Sequence, residues 1–263
     1  MIKSLKLHHL KKLLFLLPRS LRFKIFNIKK IKLFKTKTGN YYLPFFAFRD
    51  VVRNTIINDE VFDNEVYELS KTLIQENSIV IDAGANYGQL SILFSQSKSN
   101  VTVYAFEAYK YIYEILLRNV KINNATIKVF NYILGDSSKK DLLISNSKLQ
   151  SSNNYGSNKV ELASDLSEGN LVDAVKIDDL EFEKKISFMK IDVQGYDLKV
   201  LNGAKKTIQK HKMPIIIEYS QEFEKDFNYT FYDFETILKE LNYKIEKKIE
   251  GNNYLIIYDD KLS

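Results

Sequence analysis

The run VIDAGANYGQLS at 80–91 holds the most chemically specific residues of the chain. An apolar strand ends at Asp82, a turn follows through Gly84, Ala85, Asn86 and Gly88, and a helical pattern begins directly after it. Glycine lets backbone approach a ligand closely, and a helix start offers unpaired N–H groups, so the turn reads as a nucleotide cradle. The dinucleotide fingerprint G-x-G-x-x-G needs glycine where this chain has Asn86, and it sets pyrophosphate against the helix start. Asp82 would repel a pyrophosphate but suits the ammonium of a methionine moiety, which favours S-adenosylmethionine. Glu107, at the end of the next strand, is placed to accept both ribose hydroxyls. Gly135 and Asp136 follow the strand after that, with Asp136 directed at the adenine amino group.

A group that takes a proton from an acceptor should lie at the carboxyl ends of the strands, where open α/β sheets bind ligands. Histidine does not serve. His8 and His9 lie in a basic arm, and His211 precedes the strand at 214–218, at the opposite end of the sheet. The chain has no cysteine, which excludes thiolate chemistry and disulfides. Carboxylates remain: Asp192, ending the strand at 187–191, ranks first as base or cation ligand, and Glu218, ending the next strand, ranks second. A helix cap or turn former before Gly195 is the competing reading of Asp192. Asp178 and Asp179 are further carboxylates that could join a cluster for a divalent cation such as Mg²⁺.

Positioning these residues requires strands at 78–82, 101–106, 127–133, 187–191 and 214–218, with helices at about 88–97, 109–123 and 197–210. Repeated βα units imply a parallel sheet. A further helix at 231–241 precedes two runs, Tyr243 to Lys248 and Tyr254 to Tyr258, that form an antiparallel hairpin at the sheet edge. The expected fold is α/β and Rossmann-like, with seven strands. Ahead of it stand a helix at about 60–76 and a hairpin turning near Gly39. We divide the chain into a basic arm with hairpin appendage, 1–58, and a catalytic domain, 59–263. The segment 135–171 reads as a loop or lid with a short strand at Leu142 to Ser145.

Beyond the turn, VYAFEAYKYIYEILLRNVKIN at 103–123, YILGDSS at 132–138, VKIDDL at 175–180 and ISFMKIDVQGYDLKVLNGA at 186–204 resemble the FkbM family of methyltransferases. The resemblance covers about residues 78 to 218. It implies a class I methyltransferase fold, S-adenosylmethionine as methyl donor and O-methylation, commonly of a sugar hydroxyl in a glycan or natural product. The chain departs from the family pattern Asp-Val-Glu-Gly at Gln194, a residue that keeps hydrogen bonding but cannot ionise.

Charge is unevenly distributed. Residues 1–49 carry 13 Lys or Arg and no acid; of 39 basic residues in all, 26 then face all 33 acidic ones, a balance of −7. Leu7, Leu10, Leu13, Leu14 and Leu17 share one helical face of the arm, which fits peripheral contact with anionic lipid or packing on the domain. The apolar run Leu13 to Leu17 is too short for a membrane span or a secretory signal, so a cytoplasmic location is expected. Two other functions fit parts of the pattern: a nucleic-acid methyltransferase using the basic arm, and a non-catalytic scaffold that retains the fold.

Overall fold

The computed structural model describes residues 31–145 and 169–262. A hairpin of β1 (Ile31–Thr36) and β2 (Gly39–Pro44) comes first, with its turn at Gly39 as expected, followed by helices α1 (Val51–Ile57) and α2 (Asn64–Leu73). Alternating units follow: β3 (Ile79–Ala83), α3 (Gln89–Ser97), β4 (Thr102–Phe106), α4 (Lys110–Ile122) and β5 (Ile127–Phe130). Next come β6 (Tyr132–Leu134), β7 (Lys139–Ser145), β8 (Gly169–Val175), β9 (Ile186–Ile191), α5 (Asp197–Asn202), α6 (Lys205–His211) and β10 (Ile215–Glu218). The chain closes through α7 (Glu224–Phe227), α8 (Phe231–Leu241), β11 (Tyr243–Lys248) and β12 (Asn253–Tyr258).

Seven strands form one sheet in the order β11-β12-β10-β9-β3-β4-β5. Strands β10, β9, β3, β4 and β5 are parallel, and β12 and β11 add an antiparallel edge. The Rossmann-like α/β expectation therefore holds, edge hairpin included. Period-two alternation sorts β3 between two cores: Ile79, Ile81 and Ala83 face α5, α6 and α8, while Val80 faces α2, α3 and α4. Both faces are covered, which is why β3 and β9 are buried along their whole length.

Three expected elements differ from the structure. The helix expected at 60–76 is shorter because Asp63, in the left-handed region at φ 52°, starts it, leaving Val61 and Phe62 in the preceding turn. The strand expected at 127–133 divides at Asn131, whose side-chain amide donates to the carbonyls of Glu107 and Ala108, each at 2.8 Å. Its second half, β6, joins β8 and β7 in a separate three-stranded sheet, so both described ends of the segment expected as a lid contribute strand, Lys139–Ser145 and the start of Gly169–Val175. The helix expected at 197–210 breaks at Gly203, where an added Cβ would lie 1.8 Å from the Gly135 carbonyl oxygen. Among the described residues no helix is long and apolar enough to cross a membrane. The arm, at 1–30, and residues 146–168 lie outside the described residues.

The β3 turn meets the end of β9 at Gly84, whose φ is +88° and whose added Cβ would lie 1.8 Å from the Asp192 carbonyl oxygen. Gly84→Ala should lose at least about 1–3 kcal/mol through strain at φ alone, with the clash in addition. Denaturant unfolding checks this, and an unchanged midpoint would refute the close approach.

Candidate functional site

A cleft of about 590 Å³ opens at the carboxyl ends of β3, β4, β9 and β10, a volume within the ordinary range for small-molecule sites. Asp82, Gly84, Ala85, Asn86, Glu107, Asp192 and Glu218 all line it. The structure thus brings together most of the residues singled out from sequence. Gly88, the αL residue that opens α3, lies just behind them. Gly135 and Asp136 do not line the cleft. Gly135 is packed against Gly203 and donates its N–H to Val175, and Asp136 is exposed. The neighbouring cleft wall consists instead of Phe106, Tyr132, Ile133 and Leu134.

The glycine turn is rigid. Gly84 and Ala85 both donate to the Phe106 carbonyl, at 3.0 and 2.9 Å, fixing the turn to the end of β4. The next residue of that strand end, Glu107, accepts from Asn86 N at 3.1 Å and Tyr109 N at 2.9 Å, one bond on each carboxylate oxygen. An ionised carboxylate has about four acceptor positions, so a ribose diol still finds room on both oxygens. Burial pushes the Glu107 carboxyl up to about 7.

Lys190 was not singled out from sequence, although a lysine inside the apolar run ISFMKI is itself a signal. It is buried beside Asp82, its register partner on β3, and its Nζ donates to Asp192 Oδ2 at 2.8 Å. Burial alone would favour the neutral amine, but the carboxylates of Asp192, Asp63 and Asp82 outweigh it and raise the lysine's pKa. Burial raises Asp82, which accepts a short hydrogen bond from the Ser91 hydroxyl. Asp192 is half-buried, which would raise it, yet the Lys190 ammonium holds it below the usual carboxylate range.

Gln194 joins the two candidate catalytic acids. Its Nε2 donates to Asp192 Oδ1 at 3.1 Å and to Glu218 Oε2 at 3.2 Å, from a backbone in the left-handed region at φ 53°. Burial, and then the charge of Asp192, push Glu218 up to about 9, so at neutral pH this pair holds one proton and one negative charge. The turn beneath is set by buried Asp197, which accepts from Val193 N at 3.0 Å and Gly195 N at 2.9 Å and is pushed up to about 7 by burial. Asp192 itself caps nothing.

The cation cluster with Asp178 and Asp179 does not form. Asp178 accepts from the N–H groups of Lys206 and Thr207 at the start of α6, and Asp179 binds Ser138 and Lys176. Among the described residues no group of three or more His, Cys, Asp or Glu is arranged to hold a metal ion. His211 accepts from Ile186 N at the amino end of β9, as its placement away from the site required.

Residues assigned from sequence to the appendage also wall the cleft: Val51, Val52 and Thr55 of α1 line it. They are held by side chains of the glycine turn. The Tyr87 hydroxyl donates to Asp50 Oδ2 at 2.8 Å, and Gln89 both donates to the Glu60 carbonyl and accepts from Phe62 N, each at 2.9 Å.

The sequence profile described as the methyltransferase FkbM domain matches residues 82–245. That is more than half of the chain, which therefore belongs to the FkbM methyltransferase family. Methyltransferase sdnD of Sordaria araneosa is 30% identical over 69 residues, 26% of this chain and 26% of that protein, so the match spans about a quarter of that relative's length. A crystal structure of methyltransferase FkbM from Methylobacillus flagellatus KT superposes with a TM-score of 0.46 at 18% identity, covering 81% of this chain and 53% of that one. A putative rRNA methylase from Clostridium thermocellum gives 0.47 at 9% identity, covering 73% and 92%.

Three of the raised carboxyls, Glu107, Asp197 and Glu218, set a pH dependence of stability. Their folded pKa values lie above the ordinary value of about 4, so the folded chain holds protons that the unfolded chain releases. Their contribution to stability is therefore full below about pH 4 and is lost as pH rises through about 7 for Glu107 and Asp197 and about 9 for Glu218. Melting of the ligand-free protein between pH 5.5 and 9.5 checks this, and Glu218→Gln should flatten the decline above pH 7. A rise in melting temperature toward pH 9 contradicts it.

Proposed function

We propose that this member of the FkbM family transfers a methyl group from S-adenosylmethionine to a hydroxyl oxygen, taking as acceptor a sugar hydroxyl of a cell-envelope glycan or a related glycosylated or natural-product compound. The observation that carries the reading is the Asp192–Gln194–Glu218 arrangement in the same cleft as the glycine turn. A cofactor cradle alone would serve any ligand of this class. An ionised carboxylate beside a protonated one adds the means to move a proton.

The residues present fit the donor. The turn at Gly84 excludes a side chain, Glu107 keeps acceptor positions for a ribose, and Phe106, Tyr132, Ile133 and Leu134 offer an apolar wall for a purine. When bound, the donor supplies an electrophilic methyl group on a sulfonium. The protein's task is then to align the acceptor oxygen, exclude water and receive one proton.

Asp192 receives it. An acceptor hydroxyl becomes strongly acidic as its oxygen gains the methyl carbon, so a weak base suffices provided it is ionised. Lys190 keeps Asp192 ionised, and Gln194 holds it against Glu218. No step calls on a metal ion. The proton leaves the acceptor oxygen for Asp192, the ether oxygen remains neutral, and the sulfonium charge is discharged.

Calorimetry should show S-adenosylmethionine binding to the wild-type chain. Asp192→Asn should keep that affinity within about threefold while methyl transfer falls by about 10²–10⁴. Mass spectrometry of envelope glycans from cells with and without the gene identifies the acceptor through one lost methyl group. Undiminished transfer by the Asn variant would remove Asp192 from the role of base; a wild-type chain that binds no donor would end the reading altogether.

A further inference from the structure

The cleft end beyond Lys190 is acidic, with Asp63, Glu65 and Glu250 among its lining. Asp63 is the informative residue. It stands at the N-cap of α2, where an Asp ordinarily folds back to accept from the helix's own N–H groups, yet its side chain makes no capping bond. Its backbone is in the left-handed region at φ 52°, a conformation that costs free energy for a residue other than glycine. The segment before it is clamped on both sides by Gln89, the first residue of the helix that follows the glycine turn. The carboxylate is thus withheld from its local use and held at the cleft, near Lys190, Asp192 and Glu250.

We propose that Asp63 is a specificity residue that binds the α-ammonium of the methyl donor's amino-acid end. This rests on the reading of the cleft as an S-adenosylmethionine site. Among the described residues that line the cleft, three acids, Asp63, Asp82 and Asp192, share the one ammonium of Lys190, so a cationic ligand group arriving there finds an acid to pair with. Asp82 is already occupied by Ser91 and lies against Lys190, and Asp192 is bonded to Lys190 and Gln194. Among the described residues, Asp63 is the member of the three whose carboxylate is uncommitted to such a bond. Burial raises its pKa, and an ammonium bound there would reverse that shift.

Asp63→Asn separates recognition from architecture. Asn adopts the left-handed region more readily than most residues and is an equally good N-cap, so a purely structural Asp63 predicts unchanged or higher stability and unchanged binding. Isothermal titration of the full chain uses S-adenosylhomocysteine, which has the ammonium, and methylthioadenosine, which lacks the amino-acid end. The variant should bind S-adenosylhomocysteine about tenfold or more weakly, as loss of a charged hydrogen bond implies, and methylthioadenosine within about twofold of wild type. Equal losses for both ligands, or none for either, overturn the proposal. Failure of the wild-type chain to bind either ligand defeats the underlying cofactor reading instead, and is recognised before any variant is compared. Asp63→Gly, which tolerates the same backbone, should give the same split between ligands and serves if the Asn variant does not fold.

Discussion

A lysine ammonium inside the central sheet is the constraint around which this site is organised. Lys190 occupies a position of β9 where its neighbours are Phe188, Met189 and Ile191, and burying an ion there is tolerable only with close counter-charges. Asp82 from β3 and Asp192 from the end of β9 supply them. The parallel register that aligns Asp82 with Lys190 is the register that buries Ile81 and Met189 on the opposite face, so core packing and charge pairing specify the same alignment. Where these charges begin, the apolar core ends and the cleft opens.

From that pair the polarity spreads outward by contact. Asp192 is held ionised by Lys190, and burial, with the charge of Asp192 added to it, keeps the proton on Glu218. Gln194 reaches both because its backbone turns through a left-handed conformation set by the Asp197 hydrogen bonds to Val193 and Gly195. An amide suits this place: its two hydrogens satisfy one oxygen of each acid without adding a second negative charge.

Much of this was legible from the residues in order. The glycine turn, the strand-terminal acids Asp82, Glu107, Asp192 and Glu218, and the hairpin that closes the sheet follow from periodicity and from where polar residues interrupt it. What escaped was tertiary. Nothing local tells that the Asn131 side chain will take two carbonyls and divide a strand, or that Gly203 must admit the Gly135 carbonyl and so move Asp136 away from the cleft. Lys190 could have been noticed as a charge in an apolar run, but its partners become visible only once β3 and β9 lie side by side. Asp63 fell inside the helix expected at 60–76, and only the structure puts it at the N-cap without a capping bond.

The attachment of the first hairpin has a consequence for the order in which the chain can assemble. The backbone of Tyr42 pairs with the Asn119 side chain, and that of Asn40 with Asn123, partners 77 and 83 residues further along. A ribosome releases β1 and β2 long before α4 exists, so Tyr41 and Leu43, fully buried in the finished protein, must wait in water until it arrives. Contacts of such sequence separation form slowly. The wall of the cleft built on this hairpin is therefore made early and installed late, and the nascent chain carries a sticky strand pair until α4 has been made.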